Sequence, residues 1–143
     1  MTETTTPRST LGMISLMTPD PRRLGAFWSE VMGLPIADGA SDDLVMLDFN
    51  HEVGPITWIL ERSDDVAVGT APVALDIYRE DEDETRWREV ADRAEELGAA
   101  RVSEHEESAV QWIEMRDLDG NRFRVFAPRR VPTAQCPDTE LRG

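Results

Sequence analysis

One local pattern occurs twice in this chain, and it restricts the fold more than any other feature. A short apolar run, Gly12 to Met17, precedes an amphipathic segment, Asp20 to Met32, that ends on Gly33. Leu24, Phe27, Trp28, Val31 and Met32 recur there at helical spacing. Asp20 is a good N-cap, Pro21 suits the first helical position, and Gly33 suits the left-handed residue after the last turn. Three further runs, Leu34 to Ala37, Leu44 to Phe49 and Ile56 to Glu61, read as strands between Gly, Asp and Pro turns. The order then repeats. Val73 to Tyr78 reads as a strand and Asp81 to Leu97 as a helix ended by Gly98. Ala100 to Ser103, Val110 to Met115 and Arg122 to Phe126 read as strands. Gly33 and Gly98 stand 65 residues apart. The fold class expected is therefore α+β, built of two βαβββ modules. A helix protects one face of each sheet, and two such sheets can enclose a shared cavity with their other faces.

The domain expected spans 11–127, with module one at 11–63 and module two at 71–127. Residues 1–10 read as a flexible arm and 128–143 as a Pro-rich tail. The 143 residues are 40% hydrophobic, enough for an ordinary core. No apolar run approaches the ~20 residues of a membrane span. The N-terminus lacks a basic stretch followed by an apolar one, and Cys136 is the single cysteine, so a cytoplasmic location is expected. The net charge of −14 repels phosphate backbones and argues against nucleic acid as a partner. It attracts small cations, although the acids are densest from Arg79 to Arg88, where they complement a helix N-terminus. Asp117-Leu118-Asp119-Gly120 has its glycine too early for a calcium loop and reads as a hairpin turn.

Two segments carry a family resemblance. Asp20-Pro21-Arg22-Arg23-Leu24-Gly25-Ala26-Phe27-Trp28, with Val31-Met32-Gly33-Leu34, resembles the first helix of glyoxalase-like proteins. Trp112-Ile113-Glu114-Met115-Arg116-Asp117-Leu118-Asp119-Gly120-Asn121-Arg122-Phe123 resembles their closing hairpin, with Leu118 where proline is usual. In register with the repeat, they make the chain similar to the glyoxalase/bleomycin-resistance fold of the vicinal oxygen chelate superfamily. The resemblance implies a small-molecule partner and, commonly, a homodimer. Members are metal-dependent lyases, isomerases and ring-cleaving dioxygenases, or proteins that sequester antibiotics without metal.

By that resemblance, metal ligands would fall at Met13, at Trp58 or a neighbour, at Ala74 and at Arg124. A thioether suits soft ions, Trp58 and Ala74 offer nothing, and a guanidinium repels a cation. His51 and His105 read as loop residues without a shared metal spacing. No metal and no cofactor are therefore expected. Strand alternation sets Ala74, Asp76 and Tyr78 on one face, and Arg122, Arg124 and Phe126 on one face. An Asp76–Arg124 pair would either satisfy a partly buried wall or orient a polar ligand group. Trp28 and Trp87 read as core. Trp58 and Trp112 lie on strands, and either face is open to them. The ligand-binding residues expected are Met13, Trp58, Ala74, Asp76, Trp112 and Arg124. A metal-independent protein that binds an apolar or cationic aromatic compound heads the functional readings. A superfamily enzyme, and an interaction module with a filled cavity, stand as alternatives.

Overall fold

The computed structural model describes residues 7–65, 73–81 and 83–128. The first six residues of the expected arm, and the tail from 129 onward, lie outside them. The chain forms two compact units that divide between Ala67 and Val68. Each is a sheet with one helix, as the duplicated pattern requires.

In the first unit, strands β1 (Met13–Thr18), β2 (Leu44–Leu47) and β3 (Thr57–Arg62) form a sheet in the order β1-β3-β2. β1 runs parallel to β3, and β2 antiparallel to it. Helix α1 (Pro21–Met32) follows β1. The buried Thr18 accepts the Asp20 N–H through its hydroxyl, and Asp20 accepts the Arg23 N–H at 3.1 Å. Gly33 ends the helix at φ 67°. Leu24, Phe27 and Trp28 are buried, together with Val45, Leu47, Trp58 and Leu60 of the sheet. Gly25 lets the helix sit close, since a Cβ there would lie 2.8 Å from Val45 Cγ1.

The strand expected at Leu34 to Ala37 is not one. It contributes a single bridge, Ile36 to Leu47, flanked by the Ala37 and Asp48 N–H groups. Pro35 has no N–H to donate and Gly39 turns the chain away, so no ladder extends. After β2, the buried carboxylate of Asp48 organises the loop. It accepts the N–H groups of Glu52, Val53 and Gly54 at 2.7 to 3.2 Å.

In the second unit, β4 (Leu75–Tyr78), β5 (Ala100–Glu107), β6 (Val110–Arg116) and β7 (Arg122–Phe126) form a sheet in the order β4-β7-β6-β5. Helix α2 (Arg88–Glu96) packs against β5 and β7, and Ile77, Ile113, Met115, Phe123 and Val125 are the buried side chains of the sheet. Trp87, Ala91 and Ala94 supply its buried side. α2 starts seven residues later than the sequence suggests. Asp81 accepts the Asp83 N–H, and Asp83 accepts those of Thr85 and Arg86. These local bonds hold turns where acidic composition suggested a helix. β5 is longer than expected, because Glu104 to Glu107 continue a polar edge strand paired with β6. His105 therefore stands on a strand, not in a loop. The hairpin between β6 and β7 closes on Asp117, whose carboxylate accepts the N–H groups of Asp119 and Asn121 at 2.9 Å. Gly120 takes φ 84° there, so the segment is the turn expected.

Two outcomes follow from this packing. Gly25→Ala gains helix propensity of about 1 kcal/mol but forces Val45, at an overpacking cost of about 1–3 kcal/mol. Urea denaturation should show a net loss of about 1 kcal/mol, partly recovered when Val45→Ala is added. Asp48 is a buried acid-sensitive group. Its burial alone would raise its pKa, but the Gly54, Val53 and Glu52 N–H groups together hold it below the ordinary value. Its contribution is thus complete above the unfolded-chain value of about 3.9 and fades as pH falls through the lower folded value. Asp48→Asn should lower the melting temperature at pH 7, and the gap from wild type should close below about pH 4.

Candidate functional site

Helix coverage divides each sheet into a buried face and an outward one. In the first unit, the alternation sets Met13, Ser15 and Met17 outward on β1, level with Thr57, Ile59 and Glu61 on β3. Met46 and Leu44 continue those rows on β2. Met13 is 59% exposed. Trp58 points the other way, contrary to one option expected for it. It is 5% exposed and packs on Trp28 with ring centroids 4.9 Å apart. The apolar underside of α1 leaves room for a large flat ring, and Ile59 takes the outward place.

The outward face of the second sheet has a different chemistry. One row across all four strands is aromatic: Tyr78, Phe126, Trp112 and His105 stand in register. Tyr78 stacks on Phe126 with centroids 5.6 Å apart and planes at 26°. Phe126 stacks on Trp112 at 5.6 Å and 27°, and Trp112 on His105 at 5.0 Å and 16°. Each contact lies in the range of offset stacking. The next row is Asp76, Arg124, Glu114 and Ser103. Arg124 donates two bonds to Asp76, Nε to Oδ1 at 2.7 Å and Nη2 to Oδ2 at 2.9 Å. This hydrogen bonding raises the Arg124 pKa further above its ordinary value, against the effect of burial. Arg124 also lies over the Phe126 ring, at 5.5 Å from its centroid. In the row beyond, Arg122 pairs with Arg116 across the strands. Arg122 Nε approaches Glu114 Oε2 at 3.4 Å, and Arg116 donates to the Gly120 carbonyl. Ser103 Oγ lies 2.6 Å from His105 Nε2, which ties the end of the aromatic row to the polar one.

Of the six expected site residues, Asp76, Trp112 and Arg124 therefore share one surface. Ala74 stands one residue before β4 and is half-buried. Met13 lies on the sheet of the first unit, and Trp58 lies in that unit's core. Tyr78, Arg122 and Phe126 were placed by alternation on the faces of Asp76 and Arg124 but not counted among the site residues, and Glu114, two residues from Trp112, joins them by the same alternation. His105 was missed because nothing apolar marks the end of β5.

The match is to a whole domain. The family model described as a glyoxalase-like domain matches residues 13–126. This chain belongs to the glyoxalase-like domain family. Solved structures of the glyoxalase/bleomycin resistance/dioxygenase superfamily share its fold. A glyoxalase/bleomycin resistance protein/dioxygenase family enzyme from Burkholderia phytofirmans is 15% identical, with a TM-score of 0.67 over 85% of this chain and all of that one. Lactoylglutathione lyase from Agrobacterium tumefaciens is 20% identical, with a TM-score of 0.62 over 85% of this chain and 96% of that one. The fosfomycin resistance protein FosX from Listeria monocytogenes is 16% identical, with a TM-score of 0.65 over 86% and 93%. It was solved as a complex with Mn(II) and a dihydroxypropylphosphonic acid. No curated protein matches the sequence.

A divalent ion, as in that FosX complex, is not suited to the positions of this glyoxalase-like domain. Met13 offers sulfur, Ile59 and Ala74 offer no donor, and Arg124 offers a cation held by Asp76. Among the described residues, no three His, Cys, Asp or Glu side chains form a group that could hold a metal ion. No helix among them is long and apolar enough to cross a membrane.

The Asp76–Arg124 side chains are 38% and 31% exposed, so solvent screens them and the pair is not a structural keystone. Arg124→Gln should change unfolding stability by less than about 1 kcal/mol in urea denaturation. A loss of several kcal/mol would instead mark the pair as structural.

Proposed function

We propose that this glyoxalase-like protein binds a small planar, largely apolar molecule on the outward face of its second sheet, without a metal ion. The observation that carries this reading is the aromatic row of Tyr78, Phe126, Trp112 and His105. Four rings stacked side by side across a sheet turn their outer edges away from the helix as one apolar strip, and a flat ligand can lie against those edges at little cost in ordering. Phe126 and Trp112, at its centre, are only half-buried and have ring area left to cover. The neighbouring row supplies a few fixed polar groups, which is the usual division of labour in a ligand site.

Several features weigh against chemistry at this face. Both Asp76 oxygens accept from Arg124, and this pairing favours the ionised carboxylate and makes it a weaker base toward a substrate. The positions that would hold a metal in related enzymes have unsuitable donors here. The relation to resistance proteins agrees with sequestration of a natural product, but that kinship is of fold. A cytoplasmic homodimer remains part of the proposal.

Isothermal titration with a panel of planar aromatic compounds tests the reading. At least one compound should bind, Trp112→Ala should weaken it about tenfold, and chelator treatment should leave the affinity unchanged. The size follows from the roughly 1–3 kcal/mol that one aromatic partner contributes. Binding that disappears with the chelator and returns with Mn(II) or Zn(II) would replace the proposal with a metal-dependent one.

A further inference from the structure

The net charge of the chain suggests a cationic ligand, but the charges around the aromatic row are arranged differently. A cluster of acids in the second unit lies on the other side of its sheet. Asp92 and Glu95 of α2 meet Arg101, and Glu104 meets Arg88 of α2. Asp81 and Glu89 meet Arg79. Three arginines hold these five carboxylates, and the sheet itself separates them from the outward face. At a physiological screening length of about 8 Å, little of their field crosses to it.

On the outward face, the two rows beside the aromatic one hold Arg116, Arg122 and Arg124 against Asp76 and Glu114. Asp76 is held in a bidentate pair by Arg124. Glu114 is shared between two guanidiniums, at 3.4 Å from Arg122 Nε and near enough to Arg124 to raise its pKa. Arg122 Nε is buried and has no hydrogen-bond partner among the described residues. The next acids, Glu80 and Glu107, lie beyond the aromatic row. A ring laid against the outer edges of Phe126 and Trp112 thus has guanidiniums toward one side, the nearest being Arg124 beside Phe126. A cationic substituent there would find each carboxylate already engaged and three guanidiniums repelling it. An anionic one would complete the coordination of Arg122 and Arg124, with the bidentate geometry that arginine offers a carboxylate.

We infer that the ligand class is a planar aryl anion: an aromatic ring on Phe126 and Trp112 whose carboxylate, or a similar acid group, turns toward Arg124 and Arg122. This rests on the proposed aromatic binding face and adds the sign of the ligand. Three probes of one shape separate the two ideas: 2-naphthoate, 2-naphthylmethanol and 2-naphthylmethylammonium, titrated calorimetrically into the full chain. 2-Naphthoate should bind at least about tenfold more tightly than the ammonium compound, a difference of about 1.4 kcal/mol. Raising salt should weaken naphthoate and not the alcohol. In Arg122→Gln and in Arg124→Gln, checked for folding by thermal melting, the preference for naphthoate over the alcohol should fall below about threefold. Equal or tighter binding of the ammonium probe overturns the inference while leaving the aromatic face standing. So does a naphthoate preference that survives both substitutions. Silence from all three probes counts against the aromatic face as well.

Discussion

Strand register beneath a single helix governs the second unit. α2 packs against β5 and β7, and burying Ile77, Ile113, Met115, Phe123 and Val125 supplies the apolar contact that a sheet of this size needs. The pleat then leaves no choice for their neighbours. Asp76, Tyr78, Trp112, Glu114, Arg116, Arg122, Arg124 and Phe126 must all point outward, because a slip of one residue would bury three arginines in place of the core. The lateral pairing does the rest. Because Tyr78, Phe126, Trp112 and His105 are level, four rings meet as a row rather than as scattered aromatics. The core and the candidate site are two consequences of one alignment.

That alignment also explains how the first unit differs. α1 presses close over Gly25 and draws both Trp28 and Trp58 beneath it. The rows on the other side of β1, β2 and β3 carry Met13, Met17, Met46, Leu44 and Ile59, which are adaptable, with Ser15, Thr57 and Glu61 as their polar members. The duplicated architecture has thus diverged into one aliphatic face and one aromatic, charged face. Arg124 stands where the family resemblance puts a metal-binding carboxylate, and Asp76 holds it in a bidentate pair.

Much of the architecture was legible from the residues. The caps at Asp20 and Gly33, the Asp117 turn and the helix-facing stripes obey local rules that a single sequence displays. The Asp76–Arg124 pairing followed from alternation. Other features depended on competition between local and distant bonds. Leu34 to Ala37 has strand-like composition, but Pro35 breaks the ladder. The segment before α2 has helical composition, but Asp81 and Asp83 spend their oxygens on turns. Trp58 and Ile59 are equally apolar, so only the packing of α1 decides which is buried. The polar end of β5 carries no periodic signal, and its partner β6 alone reveals it. That is why His105 escaped notice.

The most direct measurement is a crystal structure of the protein grown with 2-naphthoate in the presence of Mn(II), with anomalous data collected at the manganese edge. The expected density is a flat ring over Phe126 and Trp112, with no anomalous peak beside Met13, Ala74 or Arg124. A manganese peak at those positions, with the ligand bound to it and the aromatic row left bare, would contradict metal-free recognition.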